Sequence, residues 1–476
     1  MAPLPSSNRT TCWQRIPRCV PPKRERELWQ RRLSRPPRCH SPSSNGGCFR
    51  HWTARHATST RSSRWLAPQR QNSSRPCPPS RCMASHARSP AGGFSAPDFH
   101  RPAPGCTLPP VNLYVHVPFC ARRCSYCDFS IAVRRSVPST HFAQSVLQEW
   151  RGVQSDPGWD GSPQLDTVYF GGGTPSHLEP SALSSILDGF LADRELAPRA
   201  EVTLEANPDD VTPAAAERWR AAGFARISLG VQSFAGEVLS WMHRTHTAGQ
   251  ARDAVGILRA AGFADLSLDL IYGLPAELGR DWEADLEQAF ALQPDHLSCY
   301  GLTVEAHTPL GHWTARGQTT AVDEGQYAQE FLRLSEALQA RGWEHYEVSN
   351  AARPGHRARH NSGYWNGAPY LGLGPSAHSG TGGERRWNIR EYAAWEVAIG
   401  EGRDTVTGRE RLTESQRRLE ALYLGLRTST GIPAELVAAE VWERWVSAGW
   451  ALTEGGQIRL TAEGWLRLDA LVADAS

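Results

Sequence analysis

Three cysteines lie within eight residues in the segment Cys120-Ala121-Arg122-Arg123-Cys124-Ser125-Tyr126-Cys127, which has the spacing Cys-x3-Cys-x2-Cys. Three thiolates on one loop can hold three irons of a 4Fe-4S cluster and leave the fourth iron open to another ligand. The alternative is a structural zinc site, which normally has four Cys or His ligands and to which His116 would contribute. Because the spacing differs from the paired Cys-x2-Cys of structural zinc modules, it favours the cluster over zinc.

The residues before the cysteine segment predict a β-strand. Apolar and polar side chains alternate with a period of two from Val111 to Val117. Short apolar runs predict further strands at 165–170, 201–205, 226–231, 266–271 and 296–303. Helix-like segments separate these runs, and strands joined by single helices pair in parallel through right-handed crossovers. The chain is therefore predicted to be an α/β protein with a partial (β/α)6 barrel, whose ligands gather at the carboxyl ends of the strands.

An internal repeat supports this prediction. The segment Arg220-Ala221-Ala222-Gly223-Phe224-Ala225 recurs 39 positions later as Arg259-Ala260-Ala261-Gly262-Phe263-Ala264. Each copy lies directly before a predicted strand, and a weaker third copy occupies 338–343. The repeated unit is a helix, a glycine that ends it, an aromatic residue and a strand.

Charge and cysteine content divide the chain near residue 108. Residues 1–108 carry 19 Lys and Arg residues against three acidic ones, whereas 109–476 carry 32 basic and 46 acidic residues, a net charge of −14. The first part also holds seven of the 11 cysteines and is rich in Pro, Ser and Arg without a sustained period. Such a segment cannot bury enough apolar surface to offset its chain entropy, so a disordered basic extension is expected.

Three interpretations of this extension stay open. It is an organellar targeting peptide, a basic nucleic-acid-binding arm, or sequence that is not natively translated because the start was placed too early. The third is favoured, because scattered prolines oppose an amphipathic targeting helix and Lys23 is the only lysine of the whole chain. The acidic body gives no reason to expect nucleic acid as a partner. The chain has no run of about 18 apolar residues, which excludes a membrane-spanning helix.

The predicted boundaries place a core at 109–310, an accessory segment at 311–405 and a C-terminal domain at 406–476. Within the accessory segment, 354–383 is rich in Gly, His and aromatic residues and predicts a long irregular functional segment. The C-terminal domain combines a helix near 414–426 with hairpin turn chemistry at 453–460. This combination predicts a small winged-helix-like α+β cap.

The cysteine segment, with an aromatic residue before its third cysteine, resembles that of the radical S-adenosyl-L-methionine (SAM) superfamily. Further motifs of this superfamily follow in order at the ends of the predicted strands: Gly171-Gly172-Gly173-Thr174-Pro175, Glu205-Ala206-Asn207-Pro208, Gly230-Val231-Gln232-Ser233 and Asp269-Leu270-Ile271-Tyr272-Gly273-Leu274-Pro275. The resemblance covers about 111–476. It is closest to the branch of the oxygen-independent coproporphyrinogen III oxidases and the HemW-type heme chaperones.

The resemblance implies a site for a 4Fe-4S cluster and SAM. The cluster ligands would be Cys120, Cys124 and Cys127. The SAM contacts would be Tyr114 beside the cluster; Gly172, Gly173 and Thr174 at the methionine amino group; Glu205, Gln232, Arg244 and Asp269 at the ribose and carboxylate; and Thr303 near the adenine. An acid suits ribose hydroxyls, and an arginine suits a carboxylate through its two-pronged guanidinium.

Two positions distinguish the oxidases from the chaperones within this branch. The oxidase pattern has a further cysteine where this chain has Phe129. The segment His360-Asn361-Ser362-Gly363-Tyr364-Trp365 matches the His-Asn-x-x-Tyr-Trp signature that the chaperones associate with heme, and a histidine can serve as an axial ligand of heme iron. The resemblance therefore implies a heme chaperone that delivers heme to acceptor proteins. The alternative is an oxygen-independent coproporphyrinogen III dehydrogenase, an oxidative decarboxylase of porphyrin biosynthesis.

The same resemblance implies the partners and the compartment. Heme is the expected third cofactor, and heme-acceptor proteins, among them membrane-associated respiratory enzymes, are the expected partners. A homodimer stays open. Clustered thiols without an apolar leader at the N-terminus indicate a reducing compartment, so a cytoplasmic protein is expected.

Overall fold

A computed structural model of the chain describes residues 111–154, 164–320, 322–381 and 383–475. The extension predicted for 1–108 lies outside the described residues. Among the described helices, none combines the length and the apolar composition that crossing a membrane requires.

The first half of the described chain alternates strands and helices. Its elements are β1 (Val111–Val117), β2 (Phe119–Cys120), β3 (Ala132–Val133), α1 (Ser139–Val153), β4 (Gln164–Gly172), α2 (Pro180–Asp193), β5 (Glu195–Ala206), α3 (Pro213–Ala221), β6 (Arg226–Gln232), α4 (Gly236–Trp241), α5 (Ala248–Ala260), β7 (Asp265–Tyr272), α6 (Trp282–Ala291) and β8 (His296–Gly301). Every strand predicted from the sequence between 111 and 303 is present.

The second half has shorter elements. They are α7 (Pro309–Ala315), α8 (Glu324–Ala340), β9 (Glu344–Glu347), β10 (Asn350–Ala352), α9 (Arg359–Trp365), β11 (Tyr370–Leu373), β12 (His378–Gly380), β13 (Glu384–Asn388), α10 (Tyr392–Gly400), β14 (Val406–Arg411), α11 (Glu414–Leu426), β15 (Ile432–Pro433), α12 (Ala439–Ser447), β16 (Ala451–Glu454), β17 (Gln457–Leu460), α13 (Ala462–Trp465) and α14 (Leu468–Ala475).

One large sheet organises the barrel. Its 12 described strands have the order β14-β13-β12-β11-β1-β4-β5-β6-β7-β8-β10-β9. The pairs from β11 through β1 to β8 are parallel, whereas the pairs outside this centre are antiparallel. The order is open and does not close on itself, which confirms a partial barrel.

The accessory segment differs from its prediction. The expected long irregular stretch at 354–383 is wrong, because it contains α9, β11 and β12. Strand β11 pairs in parallel with β1 and adds a seventh parallel strand beside the six predicted ones. Its sequence, Tyr370-Leu371-Gly372-Leu373, is too short to show a strand period. The strand forms because Leu371 and Leu373 are buried in the main core.

The outer face of the central strands is apolar. Leu113 of β1 lies opposite Val168 of β4, and Val115 lies opposite Phe170. All four side chains are fully buried in the main core, which the helices cover. This burial holds the strands in register, because a slip of one residue would turn the polar face toward the core.

The inner face of the same strands is polar and aromatic. Asn112 lies opposite Thr167, Tyr114 lies opposite Tyr169, and His116 lies opposite Gly171. Barrels of this size are usually filled by branched apolar side chains. The polar interior therefore indicates that the functional site lies inside this barrel.

The C-terminal region forms a separate three-stranded sheet of the order β15-β17-β16. Helices α11 and α12 precede its hairpin, in the order helix, strand, helix, hairpin, helix of the predicted winged-helix-like cap. The hairpin turn has Gly455 and Gly456 at φ angles of 59° and 77°. Two consecutive positive φ angles are the requirement of a type I′ turn, which explains the glycine pair.

Candidate functional site

The cysteine segment lies at the carboxyl end of β1. Cys120 pairs with Val133 in the short β2–β3 ladder. The amide of Cys127 donates to the carbonyl of Cys124 (3.3 Å), and the amide of Ser125 donates to the carbonyl of Met242 (3.1 Å). Backbone hydrogen bonds therefore hold both ends of the loop.

The three cysteines of this loop have free thiols. Cys120 is buried, and Cys124 and Cys127 are half-buried. Burial raises the pKa of Cys120 to about 11 and raises the pKa of Cys127 as well. Thiols in such surroundings stay protonated unless a metal supplies positive charge, so cluster binding and release of protons are coupled. Three thiolates on one loop fit a 4Fe-4S cluster.

His116 is engaged elsewhere and does not join the thiols. Its Nδ1 lies 3.2 Å from the hydroxyl of Tyr114, and its Nε2 lies 2.9 Å from the carbonyl oxygen of Ser130. Burial lowers the pKa of His116 to about 4, so the ring is neutral. The histidine that would complete a zinc site thus positions Tyr114 instead.

Two side-chain donors reach the cysteine sulfurs. The hydroxyl of Thr174 donates to Sγ of Cys120 (3.5 Å), and Nη1 of Arg244 donates to Sγ of Cys124 (3.5 Å). Asn207 contacts both donors: its Nδ2 donates to Oγ1 of Thr174 (3.4 Å), and its Oδ1 accepts from Nη2 of Arg244 (2.6 Å). Thr174 and Arg244, two of the predicted SAM contacts, thus also contact thiols of the cysteine loop.

The glycine loop at the end of β4 lies so close to neighbouring residues that it has no room for side chains. Gly172 has a φ angle of 113°, and a Cβ on it would lie 2.6 Å from the ring of His116. A Cβ on Gly173 would lie 2.8 Å from the carbonyl oxygen of Phe119. The loop therefore requires glycine at both positions, and it forms a cradle beside the cysteine segment into which side chains do not fit.

Two half-buried carboxyls line the inner face next to this cradle. Oε1 of Glu205 accepts from the hydroxyl of Tyr169 (2.8 Å), and Oε2 accepts from the amide of Gly172 (3.1 Å). Asp269 accepts from the hydroxyl of Ser228 (2.9 Å). Burial raises the pKa of Glu205 to about 7 and that of Asp269 to about 6. Raised carboxyl pKa values of this kind are typical of functional sites, where a bound ligand can offer hydroxyl groups or positive charge.

Arg244 carries an unsatisfied group. Besides its bonds to Asn207 and Cys124, its Nη2 donates to the carbonyl of Gly230 (2.9 Å). Its Nε is buried without a hydrogen-bond partner in the described part of the chain. A buried donor without a partner is costly, and a ligand carboxylate would satisfy it. This observation fits the predicted contact with the carboxylate of SAM.

Gln232 and Thr303 complete the predicted set of SAM contacts. Gln232 ends β6 with a positive φ of 69°, and its Nε2 lies 3.0 Å from the position of a Cβ on Gly230. Its side chain therefore lies over the strand end beside Arg244. Thr303 is exposed in the loop after β8. The described residues show no hydrogen bond from Thr303 to the other members of the set.

His360 packs against the inner face of the barrel, beside β4. It belongs to α9, and its Nδ1 lies 2.6 Å from Oγ1 of Thr167, in the amino-terminal half of β4. Its Nε2 lies 2.9 Å from the hydroxyl of Tyr364, and its ring stacks on Tyr169 at 4.9 Å. Only 1% of His360 is exposed, and burial lowers its pKa to about 3. In this arrangement neither ring nitrogen faces open space.

The site contains three residues that were not predicted from the sequence: Asn207, Tyr169 and Thr167. Asn207 lies within the motif Glu205-Ala206-Asn207-Pro208, and its place in that motif could have indicated its role. Tyr169 and Thr167 belong to the strand period of β4, where inward-facing residues alternate with core residues. Their partners Glu205 and His360 are distant in sequence, so only the fold brings them together.

The raised pKa of Glu205 predicts how stability depends on pH. In the unfolded chain its carboxyl ionises near the ordinary value of 4.5, whereas in the folded chain it keeps its proton to about 7, mainly because of burial and also because of Asp269. Between these values the folded state binds more protons, so the free energy of unfolding falls as pH rises, by about 3 kcal/mol. Glu205→Gln removes this loss.

Urea unfolding of the cluster-free chain at pH 5 and pH 8 checks this prediction. The free energy of unfolding of Glu205→Gln, minus that of the native chain, is expected to be larger at pH 8 than at pH 5. An equal difference at both values would show that Glu205 is already ionised at pH 5.

Comparisons with known proteins identify the family of the chain. The model of the radical SAM superfamily matches residues 114–289. Heme chaperone HemW of Mycobacterium tuberculosis is 36% identical over 374 residues, which cover 78% of this chain and 95% of the relative. Heme chaperone HemW of Escherichia coli is 38% identical over 272 residues, which cover 57% of this chain and 70% of the relative.

A solved structure shares the fold. Coproporphyrinogen III oxidase (HemN) from Escherichia coli, described as a radical SAM enzyme, matches with a TM-score of 0.65 at 22% identity, covering 77% of this chain and 89% of the oxidase. By its sequence, its fold and this site, the chain belongs to the radical SAM superfamily and, within it, to the HemW family.

Proposed function

We propose that this chain is a heme chaperone, which binds heme and delivers it to acceptor proteins, and that its barrel carries a 4Fe-4S cluster and SAM. Relatives named heme chaperones support the proposal over most of the chain. The observation that carries it is the placement of the His-Asn-x-x-Tyr-Trp segment. The ring of His360 stacks on that of Tyr169 at 4.9 Å and lies 6.2 Å from that of Tyr114, two residues of the inner face of the barrel. The proposed heme motif and the proposed cofactor site thus share one inner wall.

The residues of this chain would hold the cluster and SAM as follows. Cys120, Cys124 and Cys127 would ligate the cluster. Arg244 would receive the carboxylate of SAM on its buried Nε, and Glu205 would receive ribose hydroxyls. When bound and reduced, the cluster supplies the electron that cleaves a carbon–sulfur bond of SAM. The other predicted contacts, Tyr114, Gly172, Gly173, Thr174, Gln232, Asp269 and Thr303, remain part of the proposal.

The proposal extends to the surroundings of the protein. We infer a cytoplasmic chaperone whose acceptors include membrane-associated respiratory enzymes, and a homodimer is one of its proposed states. The division into 109–310, 311–405 and 406–476 is likewise proposed. The alternative activity, oxygen-independent coproporphyrinogen III dehydrogenase, is supported by the fold of the oxidase alone. Phe129 stands against it, because it occupies the position of the further oxidase cysteine.

Heme binding through His360 requires a change in its hydrogen bonds. The lowered pKa keeps the imidazole neutral, which is the form that ligates metal. The hydroxyl of Tyr364 is hydrogen-bonded to Nε2, so this bond would have to break before that nitrogen could ligate heme iron. Removing a competing hydrogen bond of about 1 kcal/mol favours the iron. Tyr364→Phe is therefore expected to tighten heme binding about fivefold, and His360→Ala is expected to weaken it strongly.

Soret-band titrations with heme measure both effects. Tyr370→Phe is the matched control. Tyr370 packs edge-on against Tyr364, and this substitution likewise removes a phenol hydroxyl. It is expected to bind heme as the native chain does. If His360→Ala binds heme unchanged while the chain stays folded, the proposed role of His360 is wrong. If the native chain binds no heme at all, the proposed function fails.

A further inference from the structure

Asn207 joins two hydrogen bonds that end on cysteine sulfurs. Thr174 donates to Cys120, and Arg244 donates to Cys124, each at 3.5 Å. The two faces of the Asn207 amide are used differently. Its amino group donates to Oγ1 of Thr174, and its carbonyl oxygen accepts from Arg244 at 2.6 Å.

The geometry orients each donor toward sulfur. Oγ1 of Thr174 accepts from Asn207, which leaves the hydroxyl proton directed at Cys120. Nη2 of Arg244 is held by Asn207 and by the carbonyl of Gly230, which leaves Nη1 on Cys124. Thr174 is 6% exposed, so water does not compete for its hydrogen bond to Cys120.

Hydrogen bonds to ligating sulfurs set the potential of an iron–sulfur cluster. A reduced cluster carries one more negative charge, part of which lies on its sulfurs, so donors to sulfur stabilise the reduced state. In a buried site such a donor acts more strongly than in water. Removing one lowers the reduction potential.

We propose that Thr174, Arg244 and Asn207 form a positioning unit that raises the reduction potential of the cluster, with Asn207 orienting both sulfur donors. The proposal rests on the cluster of the proposed function, and it is independent of heme. It assigns to Asn207 a role in cluster reduction, which lies outside the predicted SAM contacts. It also gives Thr174 a task that its place in the glycine loop does not indicate.

Redox potentiometry monitored by electron paramagnetic resonance tests the proposal on anaerobically reconstituted chain without SAM. Thr174→Val keeps the shape of the side chain and removes its hydroxyl. At a fixed potential, its ratio of reduced to oxidised cluster is expected to fall about fivefold. Thr174→Ser keeps the hydroxyl and is expected to stay near the native ratio. Asn207→Ala is expected to lower the ratio at least as much as Thr174→Val, because both donors lose their orientation.

A double-mutant cycle separates this unit from a general effect on the loop. In the Thr174→Val background, Asn207→Ala is expected to have a smaller effect than in the native chain, because one of its two targets is gone. Equal effects in both backgrounds would show independent action and overturn the proposal. It would also be overturned if Thr174→Val kept the native ratio at native iron and sulfide content. A native chain that binds no iron would instead refute the cluster itself.

Discussion

Replacement of Cys124 by alanine is expected to abolish the iron–sulfur cluster. Three thiolates are the protein ligands of the proposed site, and with two of them only half of the four irons keep a protein ligand. Losing a cluster ligand is expected to weaken cluster binding more than losing a hydrogen bond would. Burial raises the pKa of Cys120 and of Cys127, so both thiols keep their protons when no cluster is bound. Iron and acid-labile sulfide after oxygen-free reconstitution are expected to fall at least about tenfold.

Cys299 provides the matched control for this experiment. It is buried in β8, and burial and Asp269 raise the pKa of its thiol, so it is an inert member of the core. Cys299→Ala is expected to keep the full iron and sulfide content. Full content in the Cys124 variant, or equal losses in both variants, would contradict the assignment of the cluster to the loop.

Substitution of Gly172 by alanine is expected to weaken SAM binding on the order of 100-fold, because backbone strain and a steric clash of about 3 kcal/mol would have to be relieved by moving the loop. The φ angle of 113° is unfavourable for any residue with a Cβ. The new Cβ would also lie 2.6 Å from His116, which contacts the hydroxyl of Tyr114. The loop must therefore move away from the site. Equilibrium dialysis with labelled SAM measures the change.

Gly256 is the matched control for this substitution. It lies within α5 at a negative φ, and a Cβ on it would have no neighbour within 4 Å. Gly256→Ala is expected to stabilise the chain by up to about 1 kcal/mol through helix propensity, with unchanged SAM affinity. Native affinity in the Gly172 variant would show that SAM binds elsewhere.

The sequence predicted the barrel well for a physical reason. Its central strands are buried on a helix-covered face, which requires the apolar period that the sequence displays. The repeat at 220–225 and 259–264 also has a structural counterpart. Its strands β6 and β7 pair with Arg226 opposite Asp265, and Gly223 and Gly262 both have positive φ angles. In both copies the same residue types end a helix directly before a strand.

The parts that the sequence did not predict depend on distant partners. The side chain of Asn112 donates to the carbonyl of Pro369, which lies 257 positions later, and such a contact leaves no local period. The same holds for Arg244 and Cys124, which are 120 positions apart. His360 was recognised as part of a heme signature, but its burial against Thr167 follows only from the position of α9 beside β4.

One anaerobic experiment tests the central claim most directly. Reconstituted chain with SAM and a reductant is divided between heme and coproporphyrinogen III, and each porphyrin is followed by absorption spectroscopy and chromatography. A heme chaperone is expected to show a stable Soret band with about one heme per chain and to leave coproporphyrinogen unchanged. Stoichiometric conversion of coproporphyrinogen to protoporphyrinogen, without retained heme, would contradict it and identify a decarboxylating enzyme.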